Sequence, residues 1–154
     1  MRMLVLLAAA LCCSISVSAD DRTITFDKAQ DFSALKTFTV HDVKLDSLRP
    51  EIKNALLGAQ VTDVVRTALT NKGLTATTER SDVVVDSRVT TRRGGPGVAS
   101  GFEGTLVIDL TTTASGKLVW HAVYRRVEDN ATKLAKKLPD DAQKLLSDYP
   151  PKKK

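Results

Sequence analysis

Short stretches of alternating apolar and polar residues run through the chain and predict β-strands. The clearest lies at 105–112, where Leu106, Ile108 and Leu110 share one face. A turn at 114–116 and a second alternating stretch at 118–127 complete a predicted β-hairpin. Four further strands are predicted at 23–26, 35–40, 74–78 and 83–93.

Two other segments have apolar residues three and four positions apart, which is the spacing of an amphipathic helix. The first helix is predicted to begin at Pro50, because a first helical turn tolerates proline, and to end before Gly73. The second is predicted between Leu134 and Tyr149. Pro139 lies within it and is predicted to kink or restart the helix.

These elements predict an α+β fold. We expect a two-layer sandwich, in which a mostly antiparallel sheet of about five or six strands carries two helices on one face. The opposite face of the sheet is then left partly open to solvent. The sequence shows no internal repeat, so residues 20–151 are interpreted as a single domain and 152–154 (KKK) as a solvated basic tail.

The N-terminal residues 1–19 have the parts of a signal peptide in the right order. Arg2 supplies a basic start, 4–13 are apolar, and 17–19 (VSA) have the small side chains that a signal peptidase accommodates. The apolar stretch is shorter than the roughly 20 residues that a transmembrane helix needs. We therefore predict cleavage after Ala19, no transmembrane segment in the mature chain, and a periplasmic or secreted protein.

Cys12 and Cys13 leave an alternative open, in which one of them becomes lipidated and anchors the protein to the envelope. Lipoprotein processing requires a small residue directly before the cysteine, and Leu11 fits this requirement poorly. Cleavage after Ala19 removes both cysteines of the chain. The mature protein is then predicted to have neither a disulfide nor a thiol nucleophile.

Composition and charge narrow the class of partner. With 42% hydrophobic and 27% charged residues, the chain has the composition of a folded globular protein. Its formal net charge is +5, a mild excess that favours contact with anionic envelope polymers or lipid surfaces. Basic residues are not interleaved with aromatic ones, so nucleic acid is not predicted as a partner. The predicted partners are another envelope protein, an anionic lipid or a glycan.

His121 marks the candidate functional surface, since histidine is the side chain that exchanges protons near neutral pH. If Leu118, Trp120, Ala122 and Tyr124 point towards the helices, then Val119, His121, Val123 and Arg125 point out of the open face. The candidate binding surface comprises Arg88, Arg92, Arg93, Asp109, His121 and Arg125. A cluster of aspartate, histidine and arginine is able to bind an anion or to move a proton. Charge pairs on a solvated sheet give the same pattern without any function.

Motifs for other chemistry are missing from the sequence. His41 and His121 do not have the spacing of a metal-binding pair, and the chain contains no Gly-x-Ser-x-Gly. The glycine-rich segment 94–101 (GGPGVASG) precedes a predicted strand, whereas a phosphate loop opens a helix. It is interpreted as a hairpin tip. No catalytic, cofactor or metal site is therefore predicted.

Several segments resemble the family called domain of unknown function 4136. They are 31–38 (DFSALKTF), 69–74 (LTNKGL), 81–85 (SDVVV), 104–110 (GTLVIDL), 116–120 (GKLVW) and 149–151 (YPP). The resemblance spans 23–151; it departs at Phe38 and Val40, where an aromatic-tryptophan pair is common, and at His121, where arginine is frequent. It implies an α+β envelope domain, often a lipoprotein, and no catalytic set.

The sequence leads to three hypotheses about function. The first is a non-catalytic envelope accessory protein that binds a partner through the open sheet face or the glycine-rich segment. The second is a small periplasmic hydrolase or transferase using His121 with an acidic residue such as Asp109. The third is a purely structural, stress-related envelope protein. A concave pocket holding His121 and Asp109 would favour an enzyme, and a flat face would favour binding.

Overall fold

The computed structural model describes residues 21–93 and 101–152. The predicted signal peptide, residues 94–100 of the glycine-rich segment and the last two lysines of the basic tail lie outside the described residues. Within the described ranges, no helix combines the length and the apolar character needed to span a membrane.

The described chain forms seven strands and two α-helices, with one short 3₁₀ turn at Phe32–Ala34. In chain order they are β1 (Asp21–Phe26), β2 (Thr37–Val40), β3 (Lys44–Asp46), α1 (Ala55–Asn71), β4 (Thr75–Ala76), β5 (Val83–Arg93), β6 (Phe102–Thr112), β7 (Leu118–Glu128) and α2 (Ala131–Leu146). The predicted α+β class is confirmed, and β3 was not predicted. This strand has three residues, too few for an alternating pattern to be recognised.

All seven strands belong to one mixed sheet in the order β1-β7-β6-β5-β2-β4, with β3 also paired to β5. The three long strands β5, β6 and β7 form its antiparallel centre, and β1 pairs antiparallel with β7. The three short strands pair in parallel: β2 and β3 follow one another along the same edge of β5, and β4 pairs with β2. The prediction of a mostly antiparallel sheet is therefore confirmed.

Side chains alternate between the two faces of the central strands. Along β6, Leu106, Ile108 and Leu110 are buried, while Val107 and Asp109 between them are only partly covered. β5 and β7 repeat the pattern. The buried side chains pack against both helices and form a single hydrophobic core. The other face has no helix over it in the described structure.

Helix α1 begins later than predicted. Its cap is Asn54, whose side-chain oxygen accepts hydrogen bonds from the backbone N–H groups of Leu56 (2.9 Å) and Leu57 (3.4 Å). Pro50 lies instead in a turn that buries Ile52 completely. The apolar spacing extends through this turn because Ile52 joins the core from outside the helix, and for this reason the predicted start was wrong.

Helix α2 runs continuously through Pro139, so the predicted restart did not occur. Proline lacks the backbone N–H that would bond one turn back, which costs the helix one hydrogen bond. Leu138 and Ala142 on either side of it are almost completely buried. Burial of these neighbours holds the helix together where its own hydrogen bonding is interrupted.

An ion pair buried between helix and sheet fixes α2 on β7. The guanidinium of Arg126 donates to both carboxylate oxygens of Asp141, at 2.8 and 2.7 Å. Asp141 is 1% exposed and Arg126 is 9% exposed. A buried pair stabilises little relative to apolar packing, but an unpaired buried charge is costly. The pair therefore selects the one position of α2 in which both charges are satisfied.

Gly104 lets α2 approach β6 closely. A Cβ atom at this position would lie 2.6 Å from Cδ1 and 2.8 Å from Cδ2 of Leu134, a completely buried residue of α2. Real carbon atoms do not approach so closely, so a larger residue has to displace Leu134 from its packing. This contact explains why residue 104, the first of the GTL segment of β6, is glycine.

The carboxylate of Asp82 joins the start of β5 to β2. Its Oδ2 accepts hydrogen bonds from the backbone N–H of Lys36 and of Thr37, both at 2.8 Å, and from the Thr37 hydroxyl at 3.0 Å. These bonds favour the charged form and hold the pKa of Asp82 below its usual range. Asp82 thereby fixes the register of the parallel strands.

We expect Gly104→Ala to lower the free energy of unfolding by about 1–3 kcal/mol, because the added methyl group overpacks the contact with Leu134. Denaturant unfolding measures the change. Gly58→Ala is a matched control, since its new Cβ would meet its nearest neighbours at an ordinary 3.5 Å. In a Leu134→Ala background the cost of Gly104→Ala should largely disappear. Equal costs in both backgrounds would contradict the contact.

We expect Asp82→Asn to lower the free energy of unfolding by less than about 1 kcal/mol at neutral pH, because an uncharged amide accepts the three hydrogen bonds less strongly and solvent screens the charge of this exposed side chain. The pKa of Asp82 is lowered in the folded state. Its contribution is therefore complete above the unfolded value of about 3.9 and is lost as the pH falls through the folded value. Chemical unfolding at several pH values should show the wild-type advantage disappearing in acid. Asp42→Asn, an exposed carboxylate, is the control.

Candidate functional site

The candidate site is the sheet face opposite the helices, called here the open face. It is formed by side chains of β5, β6 and β7 that alternate with the buried ones, and by neighbours on β1, β2 and β3. Five of the six predicted site residues lie on it: Arg88, Arg92, Asp109, His121 and Arg125. Arg93 follows Arg92 directly, so alternation places it on the opposite side of β5.

One detail of the predicted alternation in β7 is wrong. The pairing of β6 and β7 shifts at Leu110/Thr111, where Leu110 opposes Trp120 and Thr111 opposes Leu118. Val119 is the extra residue of this bulge and is 1% exposed, whereas Leu118 is 48% exposed. Leu118 therefore does not point into the core, and Val119 does not face solvent. From Trp120 onwards the alternation is as predicted.

His121 and Asp109 form the shortest polar contact on the open face. The two residues are directly opposed on β7 and β6, and His121 Nδ1 lies 2.5 Å from Asp109 Oδ1. About a third of each side chain is exposed. Across the described chain, His121 makes no other side-chain hydrogen bond. The contact orients the imidazole ring through Nδ1 and leaves Nε2 without a hydrogen-bond partner among the described residues.

His41 and Asp86 form a second histidine-aspartate contact beside the first. His41 Nδ1 lies 3.0 Å from Asp86 Oδ1. Asp86 is in turn directly opposed to Asp109 on the neighbouring strand. The four residues His41, Asp86, Asp109 and His121 therefore cross the sheet in one line, called here the His–Asp row. The sequence pattern predicts no partner for His41, because Asp86 comes beside it only through the parallel pairing of β2 with β5.

Basic side chains form a second row, which lies two residues further along β5 than Asp86. Lys44 on β3 is directly opposed to Arg88 on β5, and Arg88 is opposed to Val107 on β6. Neither Lys44 nor Arg88 has an ion pair or side-chain hydrogen bond within the described residues. Lys44 and Arg88 are called here the basic row. Val107 and Val123 continue this line across the sheet as an apolar strip.

The remaining arginines of the open face are paired with acids. Arg92 donates to Glu103 at 2.8 Å, and this bond raises the pKa of Arg92 above its usual range. Arg125 contacts Asp21 at 3.3 Å. Both pairs are exposed, so each contributes little to stability. The part of the open face around these two pairs is therefore hydrophilic and close to neutral in net charge.

The open face is shallow. One depression of about 110 Å³ is lined by Lys44, Asp86, Ser87, Arg88, Val107 and Asp109. A second, broader one is lined by Thr90, Thr91, Arg92, Glu103, Thr105 and Arg125. Both are open to solvent rather than enclosed. No three His, Cys, Asp or Glu side chains of the described ranges converge as metal ligands do.

Solved structures that share the fold include the following three. A PDZ domain protein from Parabacteroides distasonis is 14% identical, with a TM-score of 0.67 over 92% of this chain and 39% of that one. A DUF4136 family protein from Bacteroides thetaiotaomicron is 11% identical, with a TM-score of 0.64 over 86% of this chain and 97% of that one. The PelC dodecamer from Paraburkholderia phytofirmans is 15% identical, with a TM-score of 0.52 over 83% and 95%.

At these identities the similarity shows the fold alone, and this chain spans less than half the length of the PDZ domain protein. A search of curated proteins finds no match to the sequence. The family model for a domain of unknown function, DUF4136, matches residues 23–151. That match covers all of the elements described above except the first residues of β1. The chain therefore belongs to the DUF4136 family.

Proposed function

We propose that the protein is exported to the cell envelope and acts there as a non-catalytic accessory protein that binds another envelope protein through its open face. One observation carries this proposal. Three 11-residue strands present their charged and polar side chains together on a face that neither helix covers. The signal-peptide pattern of residues 1–19 supports export.

The size of the open face suits a protein partner. Strands of this length extend for about 36 Å, and five neighbouring strands are about 24 Å wide. The face therefore measures on the order of 800 Å², which is what one partner contributes to a protein-protein interface of standard size. A small-molecule enzyme instead encloses most of its substrate in a pocket. The depressions on this face are open.

The chemistry of the face also suits a protein partner. Val107 and Val123 form an apolar strip at its centre, with charged residues on both sides. Apolar cores with polar rims, enriched in arginine, are characteristic of protein interfaces. Arg88 and Arg125 are exposed and accessible to a partner. Because PelC, which has this fold, is a dodecamer, a second copy of the chain is one partner that the experiment below identifies.

We expect a photo-crosslinking amino acid at Thr105, in the middle of the open face, to capture one specific envelope protein in intact cells. The same amino acid at Gln60, exposed on α1, should not capture it. Charge reversal by Arg88→Glu or Arg125→Glu should remove the crosslink, because it places repulsion inside the interface. Arg80→Glu, exposed outside the long strands, is the matched control.

Mass spectrometry of the crosslinked product identifies the partner. Crosslinks of equal yield from Thr105 and Gln60, or a specific crosslink that survives both charge reversals, would contradict an interface on the open face. Capture of glycan or lipid alone at Thr105 would replace the protein partner with one of those classes.

A second candidate function is a small hydrolase or transferase, and the 2.5 Å contact between His121 and Asp109 favours it. A carboxylate that orients a histidine is one part of a general-base site. Such a site also requires a nucleophile for the histidine to activate, or a substrate bound against it. No hydroxyl or thiol of the described residues hydrogen-bonds to His121, and the depression beside Asp109 is open to solvent.

We expect the purified protein and its His121→Ala variant to be equally inactive on ester, phosphoester and glycoside substrates, because the open depression beside Asp109 does not enclose a substrate and no hydroxyl or thiol of the described residues contacts the imidazole. Chromogenic substrates measure each activity. Thr23→Ala, on the same face of β1, controls for contaminating enzymes. Hydrolysis that Thr23→Ala retains, and that His121→Ala and Asp109→Asn both abolish, would establish the enzyme instead.

A further inference from the structure

Directly opposed residues at the centre of the open face carry like charges. Asp86 opposes Asp109, and Lys44 opposes Arg88. Like charges in these positions destabilise a sheet, whereas opposite charges stabilise it. An ordinary solvated face would pair acids with bases across the strands, as Arg92 and Glu103 do here. The His–Asp row and the basic row instead keep the two signs apart.

The two rows leave their charges available. Each aspartate uses only Oδ1 for its histidine, and Oδ2 of Asp86 and of Asp109 has no partner within the described residues. Lys44 and Arg88 are likewise without partners there. The rows lie two residues apart along β5, a distance of about 6.7 Å. Between them lies the depression of about 110 Å³, and Val107 contributes its apolar part.

We propose that this depression binds an α-amino-carboxylate, a group with an ammonium and a carboxylate on one carbon. The ammonium lies between the carboxylates of Asp86 and Asp109, and the carboxylate lies against Lys44 and Arg88. The carbon substituent of the ligand covers Val107. The ligand thus places a positive charge between the opposed aspartates Asp86 and Asp109 and a negative charge beside the opposed cations Lys44 and Arg88.

Only a ligand with both charges fits this arrangement. A simple cation is attracted by the aspartates and repelled by the basic row. A simple anion is attracted by the basic row and repelled by the aspartates. A metal ion is a poorer fit, because the donors lie along a line across four strands and do not converge. His41 and His121 are positioning residues, since they hold the aspartates and do not contact the ligand. The inference goes beyond the proposed partner binding and does not depend on it.

The test is a titration of the purified exported protein with alanine, followed by the NMR shifts of its backbone amides. We expect saturable shifts at Arg88, Val107 and Asp109 in the millimolar range. Alaninamide lacks the carboxylate and N-acetylalanine lacks the ammonium. Each is expected to bind at least about tenfold more weakly, because the charge-assisted contacts of one charged group are lost.

Variants test the two rows separately. Asp109→Asn and Arg88→Gln are each expected to weaken alanine binding about tenfold. Asp46→Asn and Arg80→Gln, exposed charges outside the depression, should leave it unchanged. Lys44→Gln gives a second test of the basic row if Arg88→Gln does not fold.

Three results would overturn the proposal. The absence of saturable shifts with alanine removes the site. Equal binding of alaninamide reduces it to a cation site, and equal binding of N-acetylalanine reduces it to an anion site. None of these results bears on the crosslink from Thr105, which lies outside the depression. Failure of this inference is therefore distinguishable from failure of the proposed partner binding.

Discussion

Alternation of side chains along β5, β6 and β7 is the constraint on which the rest of the structure depends. A shift of any one of these strands by one residue would turn its apolar side chains to solvent and its charges into the core. Burial of Val85, Ile108 and Ala122 under the helices therefore also fixes which charges meet on the open face. The arrangement of charges on the open face is a consequence of packing on the other side of the sheet.

Specific contacts of α2 fix its position on the sheet. Apolar burial alone would tolerate small displacements of a helix on a sheet, because it is not directional. Gly104 and Leu134 set the distance of α2 from β6, and the pair of Arg126 with Asp141 sets its position along β7. Trp120 packs edge-to-face on Tyr149 beyond the end of α2, with ring centres 5.9 Å apart. Several segments that resemble the family thus contain residues that position α2.

Periodicity predicted the long strands, both helices and the open face, because those elements bury a regular set of side chains. It failed at β3, which is too short to show a pattern, and where burial is not periodic, at the turn holding Ile52 and at the bulge that buries Val119. It also could not bring His41 to Asp86, since parallel pairing joins residues 45 positions apart. Burial of Arg126 was not predicted, although it follows Arg125 directly and alternation alone places it on the buried face of β7.

The like-charged pairs of the open face are compatible with a stable fold because they lie on its solvated side. Repulsion between Asp86 and Asp109 is weakened by water and by one histidine beside each carboxylate. The same two carboxylates facing the helices would be desolvated and far more costly. The hydrophobic layer between sheet and helices therefore supplies the stability. The open face can then carry charges in an arrangement that does not itself stabilise the protein. Departures of this kind from the most stabilising arrangement are expected at functional sites.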